Sequence, residues 1–189
     1  MPLQSTRRHN RAKAYIADMT WAMDFAADNR MRMLMATASL LGFDAGDIEE
    51  ILRRETSSNL SHNHALALPR GRVLHRKGAI PAERGQMGVI PANQRDGVWV
   101  AKGLGNAEFL ASASHGAGRK MARSQAAKKG DVHDLKKLMK GITCRIDRDV
   151  LDEAPWAYKR IDDVLAAQEG VLVEIIDHFS PIVVLKGGN

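Results

Sequence analysis

"HALALPRGRVLHRKGA", residues 64–79, is the stretch on which the fold turns. Two runs of alternating apolar and polar residues flank Pro69-Arg70-Gly71, and that pattern predicts a β-hairpin. Upstream the periodicity is helical. Ile16, Met19, Met23, Ala26, Leu34, Ala38 and Leu41 recur at short helical steps, which predicts one long helix over 11–41. Gly42 suits its C-terminal end, and Asp44 suits the cap of a short second helix, "DIEEILRRE". The methionines read as core filler. Downstream, "GVIPANQRDGVWVAKGLG" (88–105) continues with short strands and turns, and "FLASASHGAG" (109–118) reads as a strand entering a glycine turn. Residues 118–129 and 131–140 are expected as basic helices. "DEAPWAYKRIDDVLAAQEG" (152–170) is expected as one more helix with Pro155 in its first turn. "VLVEIIDHFSPIVVLKGG" (171–188) closes the chain with two strands bent at Pro181. The class is α+β: a long N-terminal helix followed by mixed β-sheets with flanking helices.

The 189 residues suit one domain with a sizeable core. Hydrophobic residues make up 44%, which excludes a disordered tail. Twenty-eight Lys and Arg stand against 22 Asp and Glu, and the net charge of +6 favours anionic partners, nucleic acid first among them. Aromatics at 5% argue against a base-stacking platform. The single cysteine, Cys144, excludes a disulfide framework and fits a reducing, cytoplasmic setting. No apolar run approaches a membrane span, so no membrane partner is expected. The start, "MPLQSTRRHNRAK", lacks the apolar core of a secretory signal, and residues 1–10 are expected to be disordered.

Three short motifs could carry chemistry. "HNH" at 62–64 spaces two imidazoles so that on a strand they share a face, which can serve one metal; the competing reading is a polar edge strand. "LHRKGA" at 74–79 gathers His75, Arg76 and Lys77 before a glycine. That suits phosphate contact, or else an edge strand guarded by charge. "SHGAGR" at 114–119 is the sharpest. Gly116 and Gly118 let backbone N–H groups approach an oxyanion, a following helix could aim its N-terminus there, and His115 could attack a phosphorus atom. The same six residues also suit a plain strand-turn-helix connection. His9, His133 and His178 complete the seven histidines.

Taken in order, "ADMTWAMDFAADNR", "SHNHA", "LHRKGAIPAERGQMGVIP", "GLGN", "SHGAGRKMAR", "DEAPWAYKRIDDVLAAQ" and the terminal "VLKG" resemble the RtcB family of RNA ligases, which splice tRNA and repair RNA. The resemblance covers the chain beyond its first dozen residues. It implies the C-terminal part of the RtcB fold, as a single domain over 1–189 without the family's N-terminal metal-ligand part. The implied reaction has three steps: guanylylation of a histidine by GTP, transfer of GMP to an RNA 3′-phosphate, and attack by an RNA 5′-hydroxyl. The 3′ end can also begin as a 2′,3′-cyclic phosphate. GTP and manganese, Mn(2+), are the implied cofactors.

Carried over by motif, His115 matches the guanylylated histidine, with Gly116, Ala117 and Gly118 in the nucleotide loop. His62 matches a manganese ligand and Asn63 lies beside it in the nucleotide site. Pro91, Ala92, Asn93 and Gln94 match the nucleotide-contacting turn, and Lys186 matches the lysine that contacts the guanine nucleotide. Arg119 and the basic residues after it would face nucleotide or RNA.

The departures are specific. The family's N-terminal part supplies an Asp, a Cys and two His as further metal ligands. The turn usually reads Gly-Ser-Met-Gly, or Gly-Asn-Met-Arg in some branches, where Ala92-Asn93-Gln94-Arg95 stands here. Val98 and Ala122 replace serines. Two functional readings follow. The first is the C-terminal component of a ligase, completed by an N-terminal RtcB half as a separate chain and acting on RNA 3′-phosphate and 5′-hydroxyl ends. The second is a catalytically incomplete module that binds RNA or a protein partner.

Overall fold

A computed structural model describes residues 3–44, 46–48, 50 and 59–186. The chain forms two compact units, Met1–Ile80 and Pro81–Asn189. Its architecture is α+β, with a long N-terminal helix, small antiparallel sheets and one parallel strand pair.

In the first unit, α1 runs Leu3–Leu40. It starts well before residue 11, where the apolar periodicity begins. Gly42, at φ +89, closes it, with the Phe43 N–H donating to the Ala38 carbonyl at 3.1 Å. Ile16, Met19, Met23 and Ala26 form a half-buried stripe, and α1 packs against β1 (Asn63–Ala67). The outer end of the expected stripe does not join it: Leu34 and Leu41 are 48% and 73% exposed. Length explains this. A helix of 38 residues is about 57 Å long, and a strand of five spans about 17 Å, so β1 covers only part of the stripe. Asp44 accepts from the Asp47 N–H at 2.8 Å and starts a helical turn at 46–48; most of the second helix expected there lies outside the described residues.

The predicted hairpin forms. β1 pairs antiparallel with β2 (Val73–Lys77), in a register that sets His64 opposite Arg76 and Ala65 opposite His75. Pro69–Gly71 makes the turn, with Arg70 at φ 60.

In the second unit, β4 (Met87–Pro91), β5 (Val98–Gly103) and β8 (Val173–Phe179) form an antiparallel sheet in the order β4-β5-β8. The short strand β3 (Ala79–Pro81) precedes it, and β6 (Ser112–Ser114) leads into the glycine turn. Two seven-residue helices follow, α2 (Arg123–Lys129) and α3 (Val132–Leu138). β7 (Thr143–Cys144) pairs in parallel with β9 (Val183–Val184), and Pro181 marks the bend before β9 as expected. The core beside them is Leu135, Met139, Val150, Leu151 and Ala154, with Cys144, Trp156 and Val184 packed against it. Trp156 also donates its indole N–H to the Ala126 carbonyl at 2.8 Å and so ties α2 to this core.

Two helices come out shorter than their sequence pattern. The stretch 152–170 divides into turns at Arg148–Glu153 and Pro155–Ala157, then α4 (Ile161–Ala166). The residues expected to open the helix at 118 are extended instead. Lys120 N–H donates to the Ala157 carbonyl at 2.9 Å, and Lys159 N–H to the Gly118 carbonyl at 3.0 Å. This antiparallel bridge between Arg119 and Tyr158 uses backbone groups that a helix would need for itself. Among the described residues, no helix is long and apolar enough to cross a membrane.

Candidate functional site

Strand β6 ends at Ser114, and the chain turns sharply around His115. The Ser114 hydroxyl donates to the Gly116 carbonyl at 2.7 Å, which closes the turn with His115 half-buried at its tip. Gly116 is pressed against β4. The Ala117 N–H donates to the Pro91 carbonyl at 3.1 Å, and a Cβ on Gly116 would sit 2.7 Å from that same oxygen. No side chain fits there without moving backbone. Gly118, at φ +71, supplies the left-handed step that takes the chain on to the bridge. The predicted loop 115–118 and the predicted turn at 91–94 are therefore in direct contact.

That turn is held by its own residues. Ala92 is buried, and its N–H donates to the Gly97 carbonyl at 2.9 Å. The Asn93 side-chain oxygen accepts from the N–H groups of Arg95 and Asp96 at 3.0 and 3.1 Å, and its amide donates to the Asp96 carboxylate at 2.7 Å. Burial pushes the Asp96 carboxyl up, but the bonds from Arg95 and Asn93 outweigh it and hold the group below its ordinary value. Gln94 points elsewhere: its amide donates to the Glu153 carbonyl at 3.3 Å.

Glu153 is where these pieces converge. Its carboxylate accepts from the Lys186 ammonium and, at 2.9 Å, from Arg123 Nη1. The Lys186 bond is the main cause that holds the Glu153 carboxyl below its usual range; burial opposes it and Arg123 adds to it. Arg123 also pairs with the Asp152 carboxylate at 2.5 Å. Arg119 donates to the Asp152 carbonyl and lies over the Tyr158 ring, 5.3 Å from its centre. The turn at 91–94, the start of α2 and Lys186 are thus joined through one residue: Gln94 reaches the Glu153 carbonyl, and Arg123 and Lys186 its carboxylate. Sequence reading did not single out Glu153. Its only local mark is an acidic pair before Pro155, and nothing there signals contact with a residue 33 positions away.

His62 and Asn63 belong to the first unit. Both are exposed at the start of β1. Asn63 accepts from the Gly78 N–H at 2.9 Å through its side-chain oxygen, and the His62 carbonyl accepts from the Ala79 N–H at 3.3 Å. They fasten the open end of the hairpin. The two imidazoles of "HNH" do not share an environment. His64 is buried, and Arg76 Nη1 donates to its Nε2 at 3.2 Å. Burial, followed by the Arg76 charge, pushes the His64 pKa down. "LHRKGA" divides likewise: Arg76 is buried, His75 stacks on Tyr15 with ring centres 5.9 Å apart, and Lys77 remains exposed.

Manganese does not fit a site within these residues. Among the described residues, no group of three or more His, Cys, Asp or Glu is placed to hold a metal ion. One imidazole at His62 falls short of the donor set such an ion takes.

The family model for tRNA-splicing ligase RtcB matches residues 3–187. The chain belongs to the RtcB family. It is 37% identical to the RNA-splicing ligase RtcB of Escherichia coli over 180 residues, covering 92% of this chain and 43% of that relative. It is 32% identical to the tRNA-splicing ligase RtcB of Pyrobaculum aerophilum over 206 residues, covering 93% of this chain and 42% of the relative. With the RNA-splicing ligase RtcB of Mycobacterium tuberculosis the identity is 29% over 197 residues, or 93% and 45% of the two chains. The chain thus spans less than half the length of these RtcB relatives.

Proposed function

We propose that this chain supplies the nucleophile-bearing part of an RtcB-type RNA ligase, completed by an N-terminal RtcB half as a separate chain in the cytoplasm. The observation that carries this reading is the Gly116–Pro91 contact, which sets the His115 loop against the turn at 91–94. An imidazole nitrogen of His115 attacks the α-phosphorus of GTP. An N–P bond forms, the bond to the bridging oxygen breaks, and pyrophosphate leaves. An oxygen of an RNA 3′-phosphate then attacks that phosphorus, and the imidazole leaves with a proton. The 5′-hydroxyl oxygen of a second RNA attacks the activated 3′-phosphate and GMP leaves. In this reading Lys186 meets the guanine nucleotide, and Arg119 and Arg123 oppose phosphate charge.

A second reading has its own support. The Asn93 and Gln94 side chains are engaged within the protein, and no metal-holding cluster occurs among the described residues. On this reading the chain is a catalytically incomplete module that binds RNA or a protein partner.

The deciding experiment uses GTP labelled at the α-phosphate with manganese, with and without the N-terminal half of a relative. The ligase reading expects covalent label that depends on the added half and disappears in His115→Ala. No label in any mixture, or equal label in His115→Ala, rejects it and leaves the binding module.

A further inference from the structure

Lys120 and Lys159, which flank the Arg119–Tyr158 bridge, line a cleft of about 690 Å³. His115, residues 91–94 and Lys186 do not line it; Ser114, whose hydroxyl closes the His115 turn, does. Three features of its wall act together. The first is charge. Lys120 and Lys159 stand on the two strands of the bridge, and Arg160 follows directly, so three cations face one carboxylate, Asp163. Arg160 pairs with Asp162 at 3.3 Å, with both side chains over 70% exposed, and such a pair holds an arginine weakly.

The second feature is a buried amide. Gln168 is 3% exposed and lines the cleft. Its oxygen is occupied, accepting from the Ser114 N–H at 3.0 Å. Its Nε2 has no hydrogen-bond partner among the described residues. A buried donor without an acceptor is costly, and an acceptor brought by a bound group would satisfy it. The third feature is an apolar wall, Val164 and Leu172, facing the cations. Cations, one buried donor and an apolar wall match a phosphate, a polar heterocycle and a sugar or base face. The volume lies within the range of small-molecule sites, about 300–1,000 Å³.

We propose that this cleft binds a nucleoside monophosphate group, with its phosphate on Lys120, Lys159 and Arg160 and its base accepting from Gln168. The group is either a free mononucleotide or the terminal nucleotide of an RNA strand. The assignment rests on the cleft alone and stands whether or not His115 is guanylylated.

The test is calorimetric titration of the full chain with AMP, adenosine, inorganic phosphate, and a short RNA bearing either a 3′-phosphate or a 3′-hydroxyl. AMP is expected to bind, and adenosine to bind about tenfold or more weakly for want of the charge-assisted bonds. Lys120→Glu combined with Lys159→Glu weakens AMP binding by a similar factor. Val164→Trp, which fills the cleft without changing its charge, does the same. Circular dichroism of each variant checks that it is folded. RNA binding that prefers the 3′-phosphate assigns the cleft to a strand end, and binding of AMP without RNA assigns it to the free nucleotide. AMP affinity unchanged in both variants overturns the proposal, as does failure of AMP, phosphate and RNA to bind the wild-type chain. His115→Ala keeps full AMP affinity; its loss would move the binding to the guanylyl loop and also overturn the proposal. Failure of the GTP-labelling experiment leaves these outcomes untouched.

Discussion

The His115 loop and the hairpin end at His62 are both assigned to one reaction by family resemblance, yet they are built differently. The loop is over-determined. Its backbone touches β4 at Gly116, its entry is tied by Ser114, and the turn it meets is linked through Gln94 and Glu153 to Arg123 and Lys186. The hairpin end presents His62 and Asn63 on an exposed strand start, bonded to Ala79 and Gly78 just past β2. The lesson is about self-sufficiency. A nucleophile loop can be preorganised by one unit's packing, whereas a metal site needs donors converging from several directions, and a single hairpin supplies one.

This contrast can be tested, starting with the largest effect. Leu135 is fully buried in the core beside α3, and Leu135→Ala is expected to cost about 2–5 kcal/mol in urea unfolding. A loss far below that would mean the second unit lacks the rigid base on which the comparison rests. Gly116→Ala places a methyl against the Pro91 carbonyl and is expected to cost about 1–3 kcal/mol, as overpacking does. It should also reduce His115 labelling far more than any change at Asn63. Wild-type stability and labelling in Gly116→Ala would show that the loop is not positioned by β4.

Glu153→Gln removes a charge-assisted bond to Lys186 and one to Arg123, an expected loss of about 1–3 kcal/mol at neutral pH. The sign with pH follows from the lowered folded-state pKa. The contribution is complete above the ordinary carboxyl value and disappears as pH falls through the folded value. The wild type should therefore lose stability on acidification more steeply than Glu153→Gln, measured as urea midpoints across acid pH. Parallel pH profiles would remove Glu153 from its central role. Asn63→Ala removes the side-chain acceptor of the Gly78 N–H at the hairpin end and should cost about 0.5–1.5 kcal/mol. His62→Ala should leave stability within about 0.5 kcal/mol, as an exposed substitution does. A large loss there would show that His62 carries fold as well as chemistry.

Much of this was readable along the chain. The Pro69-Arg70-Gly71 turn, the stop at Gly42 and the bend at Pro181 each rest on one residue's backbone preference, which acts locally and survives in the fold. The helix expected at 152–170 breaks up because its pattern is helical while its partners are not. Tyr158 and Lys159 pair with the segment after the glycine loop, and Pro155 interrupts the run. The same pairing removed the helix expected to start at 118, so α2 begins eight residues after His115 and its N-terminus is not what shapes the loop. Glu153 and Gln168 were invisible because their partners lie 33 and 54 positions away.

By itself, the sequence determined the class, the hairpin, the family and the identity of the loop that bears His115. These follow from local backbone preference, from periodicity and from ordered motifs. Only the tertiary structure decided that Gly116 must lie against Pro91, that Glu153 joins Lys186 to Arg123, and that His64 is held by Arg76 as part of the fold. The physical reason is shared. Close backbone approach, charge pairing and burial depend on which distant residues meet, and neither spacing nor composition encodes that meeting directly.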